Sequence, residues 1–354
     1  MRGGLQFSRN TEKSWFTSGV NIQRSTLDGT VLDRDEQITN GYTHILPWAI
    51  FKIVLSDGKN MDFRYRTSTR EPSITELQPF ADNSDPLNIY MGNPTLAPEY
   101  RHSFTAQYRF FDQFSFVNLF TSFTVTYTKD RIVPSRSVDE QLRQVVTSVN
   151  SDGGWVTNGS VSFGTPIRPI GVRLNLSNRL MYSTGSEFVN EAENVSRILR
   201  NTVTAGLSNR SKEVFDVRAG GRLTFNSVDY SLNEELNQSY INSTFYASGS
   251  YYLGDTWTFN MSLNYRVFDQ GVFGPGQNIA LLEASISRLF MNNRAEMQMA
   301  GLDLLNQNQG VNFTNSSTSI QEERIESLGR YLMLKFIYRL SGQGSRGRKA
   351  GARR

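Results

Sequence analysis

The stretch TWTFNMSLNYRVF, residues 256–268, decides how the rest of the chain is read. Trp257, Phe259, Met261, Leu263, Tyr265 and Val267 share one parity, and Thr258, Asn260, Ser262, Asn264 and Arg266 share the other. Successive side chains of a β-strand point to opposite faces, so this is a strand with one apolar and one polar face. It is about twice the common strand length. The apolar face therefore needs a solvent or a core, and the polar face needs water.

The same alternation recurs along the chain. Val117, Leu119, Phe123, Val125 and Tyr127 face away from Asn118, Ser122, Thr124 and Thr126. Val172, Leu174, Leu176, Leu180 and Tyr182 oppose Arg173, Asn175, Ser177 and Arg179. Phe215, Val217, Ala219, Leu223 and Phe225 oppose Asp216, Arg218, Arg222, Thr224 and Asn226, and Leu332, Leu334, Phe336, Tyr338 and Leu340 oppose Lys335 and Arg339. Helical periodicity is nowhere sustained. Strands are expected at 14–25, 44–55, 60–70, 100–111, 114–128, 143–165, 170–182, 196–209, 213–227, 238–252, 256–268, 279–290, 294–304 and 329–340. With 143–165 counted once, this gives about 14 strands; Asn150–Gly154 inside it reads as a bulge or a turn.

Connections alternate in length. Short turns such as Asp57-Gly58, Asp112-Gln113, Gly254-Asp255 and Asn292-Asn293 carry tight-turn residues. Long polar loops fall at 26–43, 71–99, 129–142, 183–195, 228–237, 269–278 and 305–328. Short, long, short, long is an up-and-down meander with its long loops at one end. Lipid leaves no backbone group unpaired, so a sheet spans a membrane only when closed. Apolar-out, polar-in strands of this length, with short turns inside and long loops outside, describe a bacterial outer-membrane barrel. Tyr127, Tyr182, Trp257, Tyr265, Phe268 and Tyr331 near strand ends fit interfacial girdles. The expected fold class is all-β: an antiparallel up-and-down transmembrane β-barrel spanning 1–340, followed by a basic, glycine-rich, disordered tail at 341–354.

Composition agrees. The chain of 354 residues is 38% hydrophobic but carries 23 Phe, 15 Tyr and 4 Trp, and its mean hydropathy is −0.43. No run approaches the ~18 apolar residues of a spanning helix. Net charge is +4, and Arg346, Arg348, Lys349, Arg353 and Arg354 concentrate basic charge in the tail; nucleic-acid binding is not expected. The absence of Cys excludes disulfides, thiolate metal sites and cysteine nucleophiles. No apolar signal-peptide region follows Met1-Arg2-Gly3-Gly4. Leu5 and Phe7 already alternate with Gln6 and Ser8, as though the chain begins inside a strand, and the natural N-terminus is expected upstream.

Three stretches carry a family likeness: residues 70–100 with the core GNPTLAPE at 92–99, DLLNQN at 303–308, and LGRYLMLKFIYRL at 328–340. Together they resemble the TonB-dependent receptor-like outer-membrane β-barrels common in Bacteroidota. The resemblance implies a nutrient importer of about 22 strands with an N-terminal plug, driven by the inner-membrane TonB complex through an N-terminal box. This chain would then be the C-terminal part of that barrel. A surface lipoprotein partner is open on this reading, and no cofactor is implied. Within the motif, Gly92, Asn93, Pro94, Leu96, Pro98 and Glu99 read as a stiff structural lead-in to the next strand, since proline fixes its own φ and extends the residue before it.

The remaining polar residues offer little chemistry. His44 and His102 read as hydrated or girdle histidines rather than as members of a hydrolase site. Asp82-Asn83-Ser84-Asp85 departs from the EF-hand spacing and reads as turn chemistry. Glu322, Glu323 and Glu326 read as a solvated acidic loop. Arg173, Arg179, Arg218, Arg222 and Arg266 fall on polar faces and are the candidate ligand-binding residues of the lumen, where arginine attracts anionic solutes; pairing with carboxylates is the competing role. Three functions follow: the barrel of a TonB-dependent import receptor, a complete passive pore of about 14 strands, or a barrel-type hydrolase, the two unremarkable histidines counting against the last. No enzymatic activity is expected. The chain is placed in the bacterial outer membrane, with long loops extracellular and the tail periplasmic.

Overall fold

The computed structural model describes residues 1–340 except 32–35, 83, 86–87, 139–142, 269–277, 309–310, 316–319 and 325–327; the expected tail, 341–354, lies outside the described residues. The first strands are β1 (Arg2–Asn10), β2 (Ser14–Val31), β3 (Glu36–Ser56) and β4 (Lys59–Arg70). A short helix α1 (Ile74–Leu77) and two short strands, β5 (Ala81–Asp82) and β6 (Asn88–Met91), follow. Then come β7 (Glu99–Phe111), β8 (Asn118–Lys129), β9 (Arg131–Val138), β10 (Gln144–Ser151) and β11 (Gly154–Ile167). The chain continues through β12 (Val172–Val189), β13 (Ala192–Asn209), β14 (Phe215–Tyr230), β15 (Gln238–Leu253), β16 (Trp257–Val267), β17 (Asn278–Phe290) and β18 (Ala295–Leu302). A separate hairpin, β19 (Val311–Asn315) and β20 (Ile320–Arg324), precedes β21 (Tyr331–Tyr338).

The wall is one antiparallel ladder in the order β1, β2, β3, β4, β7, β8, β11, β12, β13, β14, β15, β16, β17, β18, β21. β1 adds one strand to the expected set, because the alternation of Leu5 and Phe7 does continue as a strand paired to β2. Segment 143–165 is one long arm rather than a hairpin: β10 pairs β9, β11 pairs β8, and Asp130 (φ 51°) and Gly153 (φ 122°) break the two arms side by side.

The two faces differ as the alternation requires. On β16, Phe259, Met261 and Leu263 are exposed while Asn260, Ser262 and Asn264 are half-buried. Val203, Leu207, Val217, Leu223, Ile241 and Phe245 are likewise exposed on neighbouring strands. A soluble monomer rarely shows a contiguous apolar surface of this extent; here it is the lipid face. From Val172 to Tyr182, at ~3.3 Å per residue and a tilt of ~40°, the outward row climbs roughly 25 Å, the height of an outer-membrane apolar band. Rings mark its upper edge: His102 packs between Tyr100 and Tyr127, and Tyr127 tilts against Trp155 at 4.7 Å. At the short-turn edge the guanidinium of Arg288 lies 4.9 Å from both the Trp257 and Phe290 rings. Within this row of β12, Asn178 is the polar exception, and its amide donates to Asn201 Oδ1 on the outward row of β13 at 3.0 Å.

At the other end several expected loops are strand. The β2–β3 pairing runs to Val31 opposite Glu36, and β12–β13 to Val189 opposite Ala192. The loops expected at 26–43, 129–142 and 183–195 are therefore largely extended hairpins. Backbone pairing continues above the lipid, where both faces are wet and alternation has no cause to persist. The connection 71–98 behaves differently and folds onto the inward side of β2 and β3. Glu71 accepts from Ser25 Oγ at 2.7 Å, and a side chain on Gly29 would meet Ile74. Leu46, Pro72 and Leu77 are the largest fully buried side chains among the described residues.

Candidate functional site

The stiff lead-in at 92–99 is spent on anchoring this connection. Gly92 lies where a Cβ would strike the backbone of Gln78 and Thr75, so only glycine allows the approach. Asn93 donates its amide to Glu76 O at 2.6 Å and its side chain to Ser148 O at 3.1 Å. Asn150 of β10 grips Ala97 through both its amide atoms. Leu96 is buried. Glu99, 5% exposed, sits 3.2 Å from Arg70 and 3.6 Å from Arg101 and accepts the Ile132 amide at 3.1 Å. Pro94 and Pro98 flank these contacts in the chain. The residues join the β4–β7 connection to the β9–β10 hairpin, which also pairs with β6 in parallel.

Glu76 holds the base of the same connection. Partial burial pushes its pKa up, but the Ser73 backbone and hydroxyl and the Arg70 guanidinium outweigh this, leaving it below the usual carboxylate range. Asp82 accepts from the Ser84 amide at 3.0 Å, the turn chemistry expected there, and no group of three or more His, Asp or Glu suited to a metal exists among the described residues. Asn83 and Glu326 lie outside the described residues. His102 faces outward, bonded to Tyr65 Oη at 2.9 Å. His44 faces Glu71 at 4.0 Å. Among the described residues neither histidine bonds a serine hydroxyl.

The inward face carries the arginines. Arg173 sits near the short turns, donating to Asn118 Oδ1 at 2.6 Å beside Arg210 and Lys212. Arg218 is 4.0 Å from Asp216 and borders a recess of about 320 Å³ under Tyr246. Arg266 donates to Asn264 Oδ1 at 3.1 Å. Arg179 and Arg222 come together, with Arg200, around a recess of about 680 Å³ floored by Thr202, Thr204 and Thr224 and bordered by Asn226, Tyr240 and Asn242. The five sequence candidates thus divide among separate places on one wall, and only Arg179 and Arg222 share one. Arg200 is absent from the sequence candidates, although it shares the parity of Thr202 and Thr204 on β13 and opposes Val203, Ala205 and Leu207; that parity is the signal for it.

The model of the outer membrane protein beta-barrel family matches residues 3–338. The chain belongs to that family. As a family member it is an outer-membrane protein. The ferric-catecholate import receptor Fiu from E. coli K12 superposes with a TM-score of 0.46 at 10% identity, over 95% of this chain and 63% of that one. The siderophore receptor PirA from Acinetobacter baumannii gives 0.45 at 11%, over 95% and 56%. The Ralstonia pickettii toluene transporter TbuX gives 0.29 at 12%, over 93% and 90%. The chain spans less than two thirds of the length of the first two receptors. No curated protein matches it.

Proposed function

We propose that this family member is the C-terminal wall of a TonB-dependent import receptor of the Bacteroidota type. The observation that carries the reading is strand direction. β1 enters its turn with β2 at the short-turn end, and β21 also ends there, so both outermost strands run the same way. Bacterial barrels close antiparallel with an even strand number. A wall of this kind closes antiparallel only when an odd number of further strands stands between β21 and β1. Seven would bring the ring to about 22, the number of the plugged transporters. The likeness of GNPTLAPE to the receptor motif supplies the class.

On this reading the outward rows meet outer-membrane lipid, the short turns face the periplasm, and the long connections face the exterior, where a surface lipoprotein could cover them. The TonB complex engages through a region upstream of the wall. The protein catalyses no reaction, and binding and release of solute are its whole chemistry. The runner-up, a passive pore of about 14 strands, predicts a different electrical behaviour. The test is the full-length gene product in planar bilayers, together with its retention on an immobilised TonB periplasmic domain. A plugged receptor is silent and is retained; steady open channels without retention overturn the reading.

A further inference from the structure

We propose that the recess on the inward face of β12–β15 is a binding site for solutes carrying two or more carboxylate or phosphate groups, with Arg179, Arg200 and Arg222 as its anion ligands. The inference needs only the wet inward face, so it holds for an import receptor and for a passive pore alike.

The three guanidiniums come from three adjacent strands within two steps of the ladder. Arg179 stands opposite Thr202, Arg222 opposite Thr204, and Arg200 opposite Asn226. With strands about 4.8 Å apart, such side chains reach a common volume. Among the described residues no carboxylate lines the recess. Arg70 and Arg101, elsewhere on the inward face, are held by Glu99. Arg179 and Arg222 instead make no hydrogen bond and no ion pair among the described residues. Arg200 commits its Nε to Asn226 Oδ1 at 2.9 Å, which aims its head and leaves its two terminal nitrogens unbonded.

Like charges gathered without a counter-charge repel one another, and an anion relieves the repulsion. The guanidinium fork matches carboxylate and phosphate oxygens two at a time. Spread over three strands, three forks suit a solute with several oxyanions better than a single small anion. The floor helps: Thr202 and Thr224 hydroxyls share a hydrogen bond at 3.3 Å, and threonine hydroxyls also donate to oxyanions. A volume of about 680 Å³ lies within the ~300–1,000 Å³ range of small-molecule sites. That favours a solute over an extended acidic polypeptide lying along the wall.

The test is arginine footprinting of the full-length protein in detergent micelles. Phenylglyoxal adducts are located by mass spectrometry, alone and with citrate or sucrose. The expected result is modification of Arg179 and Arg222 in the free protein, and protection by citrate but not by sucrose. Equilibrium binding of labelled citrate should then weaken at least about tenfold in R179Q/R222Q, with R173Q unchanged. Folding of each variant is read from heat-modifiable gel mobility. Should the double variant misfold, R179K/R222K, which keeps the charges and loses the forks, should still weaken binding. Arginines modified equally with and without citrate overturn the site. So do arginines unreactive in the free protein, which would mean that polypeptide already covers them.

Discussion

At the scale of single residues, the lipid face poses a sharper question than the lumen. Asn178 and Asn201 stand in the apolar band and satisfy one another at 3.0 Å. A polar group left without a partner in lipid costs more than the net value of the bond it lost. Asn178→Leu alone is therefore expected to destabilise the wall by about 1–2 kcal/mol, and Asn178→Leu with Asn201→Leu to restore most of it. Reversible urea unfolding from lipid vesicles measures all corners of the cycle. If both singles are neutral, the pair lies outside the apolar band and the placement of the band is wrong. Glu76 gives a second test, of opposite character, in the wet region. Its depressed pKa means that the ionised form is favoured in the folded protein. The stability it lends is present above the ordinary carboxylate pKa of about 4.3 and is lost as pH falls through the lower folded value. Amide protection factors across 71–98, which divide out the intrinsic pH dependence of exchange, should fall below about pH 4 in the wild type. In Glu76→Gln, which keeps the shape and loses the charge, the protection factors should already be lower at neutral pH and change less on acidification.

At the scale of elements, alternation in sequence is a record of what each face touches. Where one face meets lipid and the other water, the rows separate cleanly, as in 256–268, and those strands are legible in the sequence. Above the lipid both faces are wet, so segments such as 36–43 and 183–189 alternate poorly although the backbone still pairs; their extension into hairpins cannot be read from polarity. The anchoring of 71–98 was equally hidden, because Glu99 finds Ile132 and Asn93 finds Ser148, partners remote in the chain that only the folded connection brings close. The arginine recess was half legible. Parity places Arg179 and Arg222 inside, but their convergence needs the register of β12 against β13 and β14. The orientation of a strand can itself be tested. Leu263 is outward and near the middle of β16, and Asn264 beside it is inward. Leu263→Arg should cost ~2–4 kcal/mol and lower the folded yield, while Asn264→Arg should cost little. Folding titrations into vesicles compare the two, and equal penalties would reverse or dissolve the assignment of faces.

At the scale of the whole molecule, the open question is how the ring closes. β1 is exposed along its length and β21 nearly so, and among the described residues neither pairs with the other. An exposed strand edge inside lipid would leave a row of unpaired backbone groups, each a cost of several kcal/mol, so in the membrane both edges must be met. Two solutions exist: further antiparallel strands between them, or a direct parallel seam between β1 and β21. The absence of cysteine makes the choice measurable by engineered disulfides. Met299 and Leu334 are opposite one another on β18 and β21, so Met299→Cys with Leu334→Cys should cross-link on mild oxidation in the outer membrane, given Cα separations of ~4.4–6.8 Å for a disulfide. Phe7→Cys combined in turn with Leu332→Cys, Leu334→Cys or Phe336→Cys samples the seam, since all four side chains lie on outward rows. With intervening strands, none of these pairs comes within reach and no intramolecular cross-link shifts the gel mobility of the full-length protein. A cross-link in any of them places β1 beside β21. The wall would then be a self-sufficient ring with a parallel seam, and the larger receptor barrel would lose the observation on which it rests.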